Sequence, residues 1–195
     1  MKIDMTIYNA NYKKNRLKLF TKTYDYLIKL ADIQKTDKVL DIGAESKELV
    51  EKIMQFSDDV TAIDINEYAV KEANITNFLH MDATNMTFKN NTFDTILSSH
   101  VIEHIPDPSK FLAEICRVLK PGGKVILAYP FEIIRGNFHL RCGIFSGWKY
   151  HLHKLNPKKI KKFAENTDLQ FIKGGLFLND FLIYPSYYTV LEKST

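Results

Sequence analysis

Sulfur, long apolar runs and repeats are all scarce in this chain. Only two cysteines, Cys116 and Cys142, occur in 195 residues. They are too few for a disulfide framework and sit at no metal-binding spacing, so a reduced, cytoplasmic setting is expected. Cys116 falls within an apolar helical pattern. No uninterrupted apolar run is long enough to span a bilayer, and no charged-then-apolar leader opens the sequence, so neither a membrane span nor export is expected. No internal repeat or low-complexity tract divides the chain, and 195 residues suit a single domain over 1–195 with a substantial core.

What is present looks ordinary for a globular protein, with 45% hydrophobic and 26% charged residues. The formal charge of +4 is unevenly spread. Residues 1–130 carry 17 basic against 18 acidic side chains, and residues 131–195 carry 10 against 5. The basic segment suits an anionic substrate or surface, but a solvated lysine face around Lys158 to Lys162 is the preferred reading.

The chain is organised around Lys38 to Lys47. Val39, Leu40 and Ile42 predict a strand buried on both faces, Asp41 and Gly43 end it, and Ser46 to Phe56 reads as a helix. A strand passing through a glycine turn into a helix offers backbone N–H groups to a nucleotide. Before it, residues 1–37 read as a helical lead-in, with Leu17, Phe20, Tyr24, Leu27, Ile28 and Ala31 on one face, packing over a pocket mouth. Lys13, Lys14, Arg16, Lys18 and Lys22 make a nucleic-acid arm the lesser reading.

Further strands are predicted at Val60–Ile65, Asn77–Met81, Phe93–Ser98 and Lys124–Tyr129, with helices at Glu67–Ala73 and Pro108–Leu119. Lys120-Pro121-Gly122-Gly123 reads as a helix stop. Asp64 follows the glycine turn by about twenty residues, the interval at which an acid reaches a ribose diol. The β-α alternation over 38–130 predicts an open parallel sheet covered on both faces. Residues 131–156, rich in aromatic and glycine residues, read as a substrate lid. A helix at Pro157–Asn166, capped by Asn156, and two strands at Leu169–Lys173 and Phe181–Leu191 complete the chain over 157–195. Gly174-Gly175 reads as a flexible connection between those strands.

Phe93-Asp94-Thr95-Ile96-Leu97-Ser98-Ser99-His100-Val101-Ile102-Glu103-His104-Ile105-Pro106-Asp107, followed by Arg117-Val118-Leu119-Lys120-Pro121-Gly122-Gly123-Lys124, resembles the class I S-adenosylmethionine-dependent methyltransferases almost residue for residue. The resemblance covers roughly Lys38 to Lys173 and points to the group that modifies small molecules. It implies a Rossmann-like α/β fold: a seven-stranded, mostly parallel sheet, the last strand antiparallel, with helices on both faces. It also implies S-adenosyl-L-methionine as cofactor. Asp41, Gly43 and Ala44 would border its methionine part. Asp64 and Ile65 would meet the ribose, Asp82 and Ala83 the adenine, and Ser98 and Ser99 the path to the sulfonium. One departure stands out: Glu45 and Lys47 occupy positions where the family alternates glycines. Glu45 either turns outward, or reaches the ligand's amino group, or marks a site that has lost its cofactor.

Methyl transfer needs an aligned acceptor, and a base only where the acceptor must lose a proton. His100 is the candidate base, with simple packing against the cofactor as the equal alternative. His139, Trp148 and His151 are the candidate acceptor contacts. No metal is expected. The alternative is a divalent cation on His100, Glu103 and His104, which a helix over Ser99–Ile105 would place on one face, with a further ligand from His139, His151 or His153. Related quinone and RNA-end methyltransferases place a Glu-x-x-Glu-His metal motif here. The expected activity is methyl transfer to oxygen or nitrogen of a small molecule. The rivals are a nucleic-acid methyltransferase, which lacks an appended RNA-binding module and an Asn/Asp-Pro-Pro-aromatic signature here, and a non-catalytic scaffold.

Overall fold

The computed structural model describes residues 10–131, 151–178 and 185–195, with side chains from residue 21 onward. Helix α1 (Ala10–Ala31) leads into β1 (Lys38–Ile42), α2 (Lys47–Met54), β2 (Asp59–Asp64), α3 (Glu67–Ala73), β3 (Phe78–His80) and β4 (Phe93–Ser99). A short 3-10 turn (Ile102–His104) precedes α4 (Pro108–Val118), β5 (Leu119–Pro130), α5 (Pro157–Ala164), β6 (Leu169–Leu178) and β7 (Pro185–Lys193). The seven strands form one sheet in the order β3-β2-β1-β4-β5-β7-β6. It is parallel except for β7, which runs against both of its neighbours. The expected α/β fold is therefore observed. The order reverses between β1 and β4, so the crevice for a ligand lies beyond their carboxyl ends.

Strand alternation sorts the core into two layers. Leu40 and Ile42 of β1 point to the face covered by α4 and α5, where Phe111, Leu112, Ile115, Ile160 and Ala164 are buried. Val39 packs on the opposite face with Tyr24, Leu27, Ile28 and Ala31 of α1 and Leu49, Val50 and Ile53 of α2. The period of two sends Asp41 to that second face as well. Helix α1 is thus a covering helix of the sheet rather than a lid over the pocket mouth, since its apolar stripe has a sheet face to bury. Asp107 caps α4 by accepting from Ser109 N and Lys110 N at 3.1 Å each, and Asn156 caps α5 by accepting from Lys159 N at 3.0 Å.

Two glycine readings need correction. Pro121-Gly122-Gly123 does not form a separate stop. Helix α4 ends at Val118, and β5 begins at Leu119 opposite a register shift in β4 between Phe93 and Thr95. Gly123 is required there because a Cβ would stand 2.8 Å from Asp94 O and 2.9 Å from Lys120 O. Gly174 and Gly175 are no flexible loop either: they lie inside β6, opposite Thr189 and Tyr188. A Cβ on Gly174 would stand 3.1 Å from Tyr188 O, and one on Gly175 3.1 Å from the Tyr188 ring, so close packing explains them. The last strand begins at Pro185, and Phe181 to Tyr184 lie outside the described residues.

Candidate functional site

The loop after β1 keeps the backbone of a glycine turn although its sequence does not. Gly43 sits at φ +78°, and Glu45 adopts φ +58°, a left-handed conformation costly for a residue with a side chain. Val101 fills the space beside Gly43 so closely that a Cβ there would clash with its Cγ2. The Gly43 and Ala44 N–H groups donate to Ile63 O at 2.8 and 3.3 Å, so they tie the loop to β2 rather than facing a ligand. Ser46 caps α2 without a side-chain bond, and its hydroxyl is buried with no partner among the described residues.

The three strand-end acids occupy different settings. Asp41 is fully buried beneath α1, where Tyr24 Oη lies 2.9 and 3.0 Å from its two oxygens. Burial, together with the Asp64 charge, raises its carboxyl to about 8, against the lowering effect of the Tyr24 bond. The same burial and the acids around it push the Tyr24 phenol well above its ordinary value. Asp64 is half-buried and accepts from Asn66 N at 2.7 Å and Glu45 N at 3.2 Å, which holds the glycine loop and the start of α3 against one carboxylate. Asp82 is exposed, its Oδ1 accepting from the Thr84 N–H and hydroxyl at 2.7 and 2.9 Å, with Ala83 buried beside it. Ile65, 68% exposed, and Tyr68, 74% exposed, stand as an apolar rim after β2. Ser98, in register with Ile42, and Ser99 end β4 with buried hydroxyls that lack partners among the described residues.

Beyond β4 the chain turns sharply, and His100 sits at φ +57°. The segment is not the helix that the cation alternative assumed. Only Ile102–His104 coils, as a 3-10 turn, so His100, Glu103 and His104 do not share a helical face. His100 Nδ1 stands 3.2 Å from Glu103 Oε1, an ion-pair contact. Glu103 is completely buried, and apart from the His100 contact neither oxygen has a partner among the described residues. Burial alone would raise its carboxyl, but the neighbouring His100 and His104 imidazoles hold it below its ordinary value. His151 comes from the segment before α5, its ring 4.8 Å from that of His104. One donor atom each from Glu103, His104 and His151 lies within 4.8 Å of the others. Leu152 N donates to Glu103 O at 2.8 Å, and His153 Nε2 lies 3.0 Å from Ile105 O, so residues 151–153 are strapped across the turn. His139 and Trp148 lie outside the described residues.

Tyr24 was missed as a site residue because its helical spacing reads only as core. Its signal was chemical: a phenol inside an apolar stripe must find a buried partner. Val101 gave no signal in sequence.

Residues 40–127 match a methyltransferase-domain family. This core is similar to a methyltransferase domain, and the sheet has the fold of one. A ubiquinone biosynthesis O-methyltransferase of Xanthomonas oryzae pv. oryzae is 24% identical over 159 residues, covering 72% of this chain and 66% of the relative. A demethylmenaquinone methyltransferase of Renibacterium salmoninarum is 34% identical over 116 residues, 54% of this chain and 49% of the relative. The chain therefore spans about two thirds or less of the length of these curated relatives. Among solved structures, a Haloferax volcanii methyltransferase in complex with a methyltransferase activator superposes with a TM-score of 0.78 at 16% identity, covering 96% of this chain and 95% of that one. The N-methyltransferase NodS of Bradyrhizobium japonicum, bound to S-adenosyl-L-homocysteine, gives 0.68 at 13% identity over 90% and 87%. No helix among the described residues is long and apolar enough to cross a membrane.

Proposed function

We propose that the protein is an S-adenosylmethionine-dependent methyltransferase acting on oxygen or nitrogen of a small molecule. The observation that carries this reading is the loop after β1. Glu45 holds the left-handed backbone of a glycine turn, and its N–H is bound to the Asp64 carboxylate. A chain under no demand for that turn would have little reason to keep a strained residue there. The hydroxyls of Ser46, Ser98 and Ser99, without partners among the described residues, and the exposed Ile65 fit a polar ligand with one aromatic face. In this reading Asp64 takes the ribose hydroxyls, Ile65 packs on the adenine, and Asp82 with Ala83 meets its amine edge. Asp41, Gly43 and Ala44 border the amino-acid end. The cofactor, when bound, supplies an electrophilic methyl group.

The protein's own contribution is orientation and proton management. His100 turns back from the end of β4 with Nδ1 3.2 Å from Glu103 Oε1, where the buried carboxylate would stabilise the imidazolium formed when the ring takes a proton. The imidazole is thereby suited to take a proton from an acceptor hydroxyl or ammonium, an effect worth about 10²–10⁴ in rate. His139 and Trp148 would contribute to the acceptor wall. The names of the relatives point to hydroxyl-bearing, quinone-like acceptors as the first compounds to try.

Calorimetry with S-adenosylmethionine and S-adenosylhomocysteine, then labelled-methyl transfer to a phenol panel, tests the proposal. Heat from both ligands and transfer that falls at least 100-fold in His100→Gln with KM nearly constant is the expected result. Absence of heat from either ligand would leave the scaffold reading, and salt-dependent RNA binding would favour the nucleic-acid rival.

One observation favours a second form of the site, with a divalent cation. Glu103 is a buried carboxylate beside His100, and it clusters with the imidazoles of His104 and His151 from different segments. Ligand atoms of a tetrahedral zinc site, bonded at about 2.1 Å, stand about 3.5 Å apart, so the present 4.8 Å spread would have to tighten. Activity unchanged by exhaustive chelation rejects this form.

A further inference from the structure

The contact between α1 and β1 has a proton count that the rest of the site does not explain. Asp41 is 0% and Tyr24 1% exposed, and the phenol oxygen lies 2.9 and 3.0 Å from both carboxyl oxygens. A phenol has one hydrogen to donate, shared here between the two oxygens, so the buried carboxyl has a single donor in place of solvent. The charged groups facing the pair agree. Asp64 of β2 and Glu45 of the β1–α2 loop are both acids acting on it. Its cross-strand neighbours Ala62 and Leu97 are apolar. Among the described residues, no lysine, arginine or histidine pairs with Asp41, and its side chain bonds only Tyr24. A carboxylate in that setting lacks both solvent and counter-charge.

We infer that Tyr24 and a protonated Asp41 form a proton-holding pair that discharges when a ligand ammonium arrives at the β1–α2 loop, making Tyr24 a positioning residue for cofactor capture. This inference rests on the cofactor reading above. The carboxyl O–H bond breaks, the proton passes to solvent, and the ligand's ammonium becomes the counter-charge of the carboxylate. No electrons are transferred. Helix α1 is thereby coupled to binding, because the phenol that steadies either state of Asp41 is carried on it.

Two measurements on the full chain separate the outcomes. The free protein at pH 7 is expected to show the infrared C=O stretch of a protonated carboxyl that Asp41→Asn removes. Calorimetry with S-adenosylhomocysteine in buffers of different ionisation enthalpy is expected to find close to one proton released per ligand at pH 7, declining by pH 8.5. Asp41→Asn should abolish the release and flatten the pH dependence. Tyr24→Phe removes the bond that favours the ionised carboxyl. It should weaken binding roughly tenfold at pH 7, with the deficit narrowing at pH 8.5 and the far-ultraviolet spectrum unchanged. Binding without proton release, or Tyr24→Phe binding as wild type at every pH, overturns the coupling and leaves the cofactor reading standing. Binding heat from neither wild type nor variants overturns the cofactor reading and the coupling with it. The infrared band would then still report on the pair itself.

Discussion

Asparagine at position 41 should make the ligand-free protein more stable, and increasingly so as pH rises. Asp41 titrates near 8 in the folded chain against an ordinary value of 3.8. Below about pH 4 the carboxyl is protonated both folded and unfolded, and its burial carries no titration penalty. Between that point and about pH 8 the unfolded chain releases the proton while the folded one retains it. Stability therefore falls as pH rises, by up to about 1.4 kcal/mol per unit. At pH 7 the accumulated penalty is about 4 kcal/mol as an upper bound. An asparagine does not titrate, and its carbonyl can still accept the Tyr24 hydrogen. Urea unfolding of wild type and Asp41→Asn at pH 4.5, 6, 7 and 8.5 should show a gap of about 1 kcal/mol or less at pH 4.5. The gap should reach about 2–4 kcal/mol at pH 7, about 2–4 °C in Tm for each kcal/mol. It should level off above pH 8. A gap that is constant, or that shrinks with rising pH, would refute the argument.

Two substitutions in the loop after β1 test its backbone. Glu45→Gly removes a side chain from a left-handed residue and should gain about 1 kcal/mol in urea unfolding; a loss of that size would mean that the Glu45 side chain holds the loop. Gly43→Ala should cost about 2 kcal/mol or more, from both its φ of +78° and the clash with Val101. Adding Val101→Ala should restore part of that loss beyond what additivity gives, and strict additivity would show that Val101 is not the obstacle.

The sheet was legible because parallel strands buried on both faces are written as short apolar runs, and Val39-Leu40, Ala62-Ile63 and Ile96-Leu97 are such runs. Spacing likewise located Asp64, whose distance from the glycine turn follows from one βαβ unit. What sequence could not convey was placement in space. Asp41 reads as one of three converging acids; strand alternation sets it and Asp64 on the same sheet face, but α1 covers Asp41, while Asp64 is half-buried and Asp82 exposed. The cation alternative failed in its stated form for a similar reason. Helical spacing was assumed across a segment that starts with His100 in a left-handed turn, and the imidazole that joins Glu103 and His104 comes from residue 151. Gly174 and Gly175 show a third limit: a glycine pair that makes room for Tyr188 reads just like one that loosens a loop.

The position of β7 between β5 and β6 affects how the domain is made. Strand β5 is synthesised by residue 130, but its second neighbour is supplied by residues 185–193. During translation its apolar run Val125-Ile126-Leu127-Ala128 therefore waits, open along one side, for more than fifty further residues to leave the ribosome. Strands β1 to β4 can pair meanwhile, so the half that would carry the cofactor has most of its contacts before the sheet is closed. The interval in between is when a nascent chain of this design is most exposed to sticking to its neighbours.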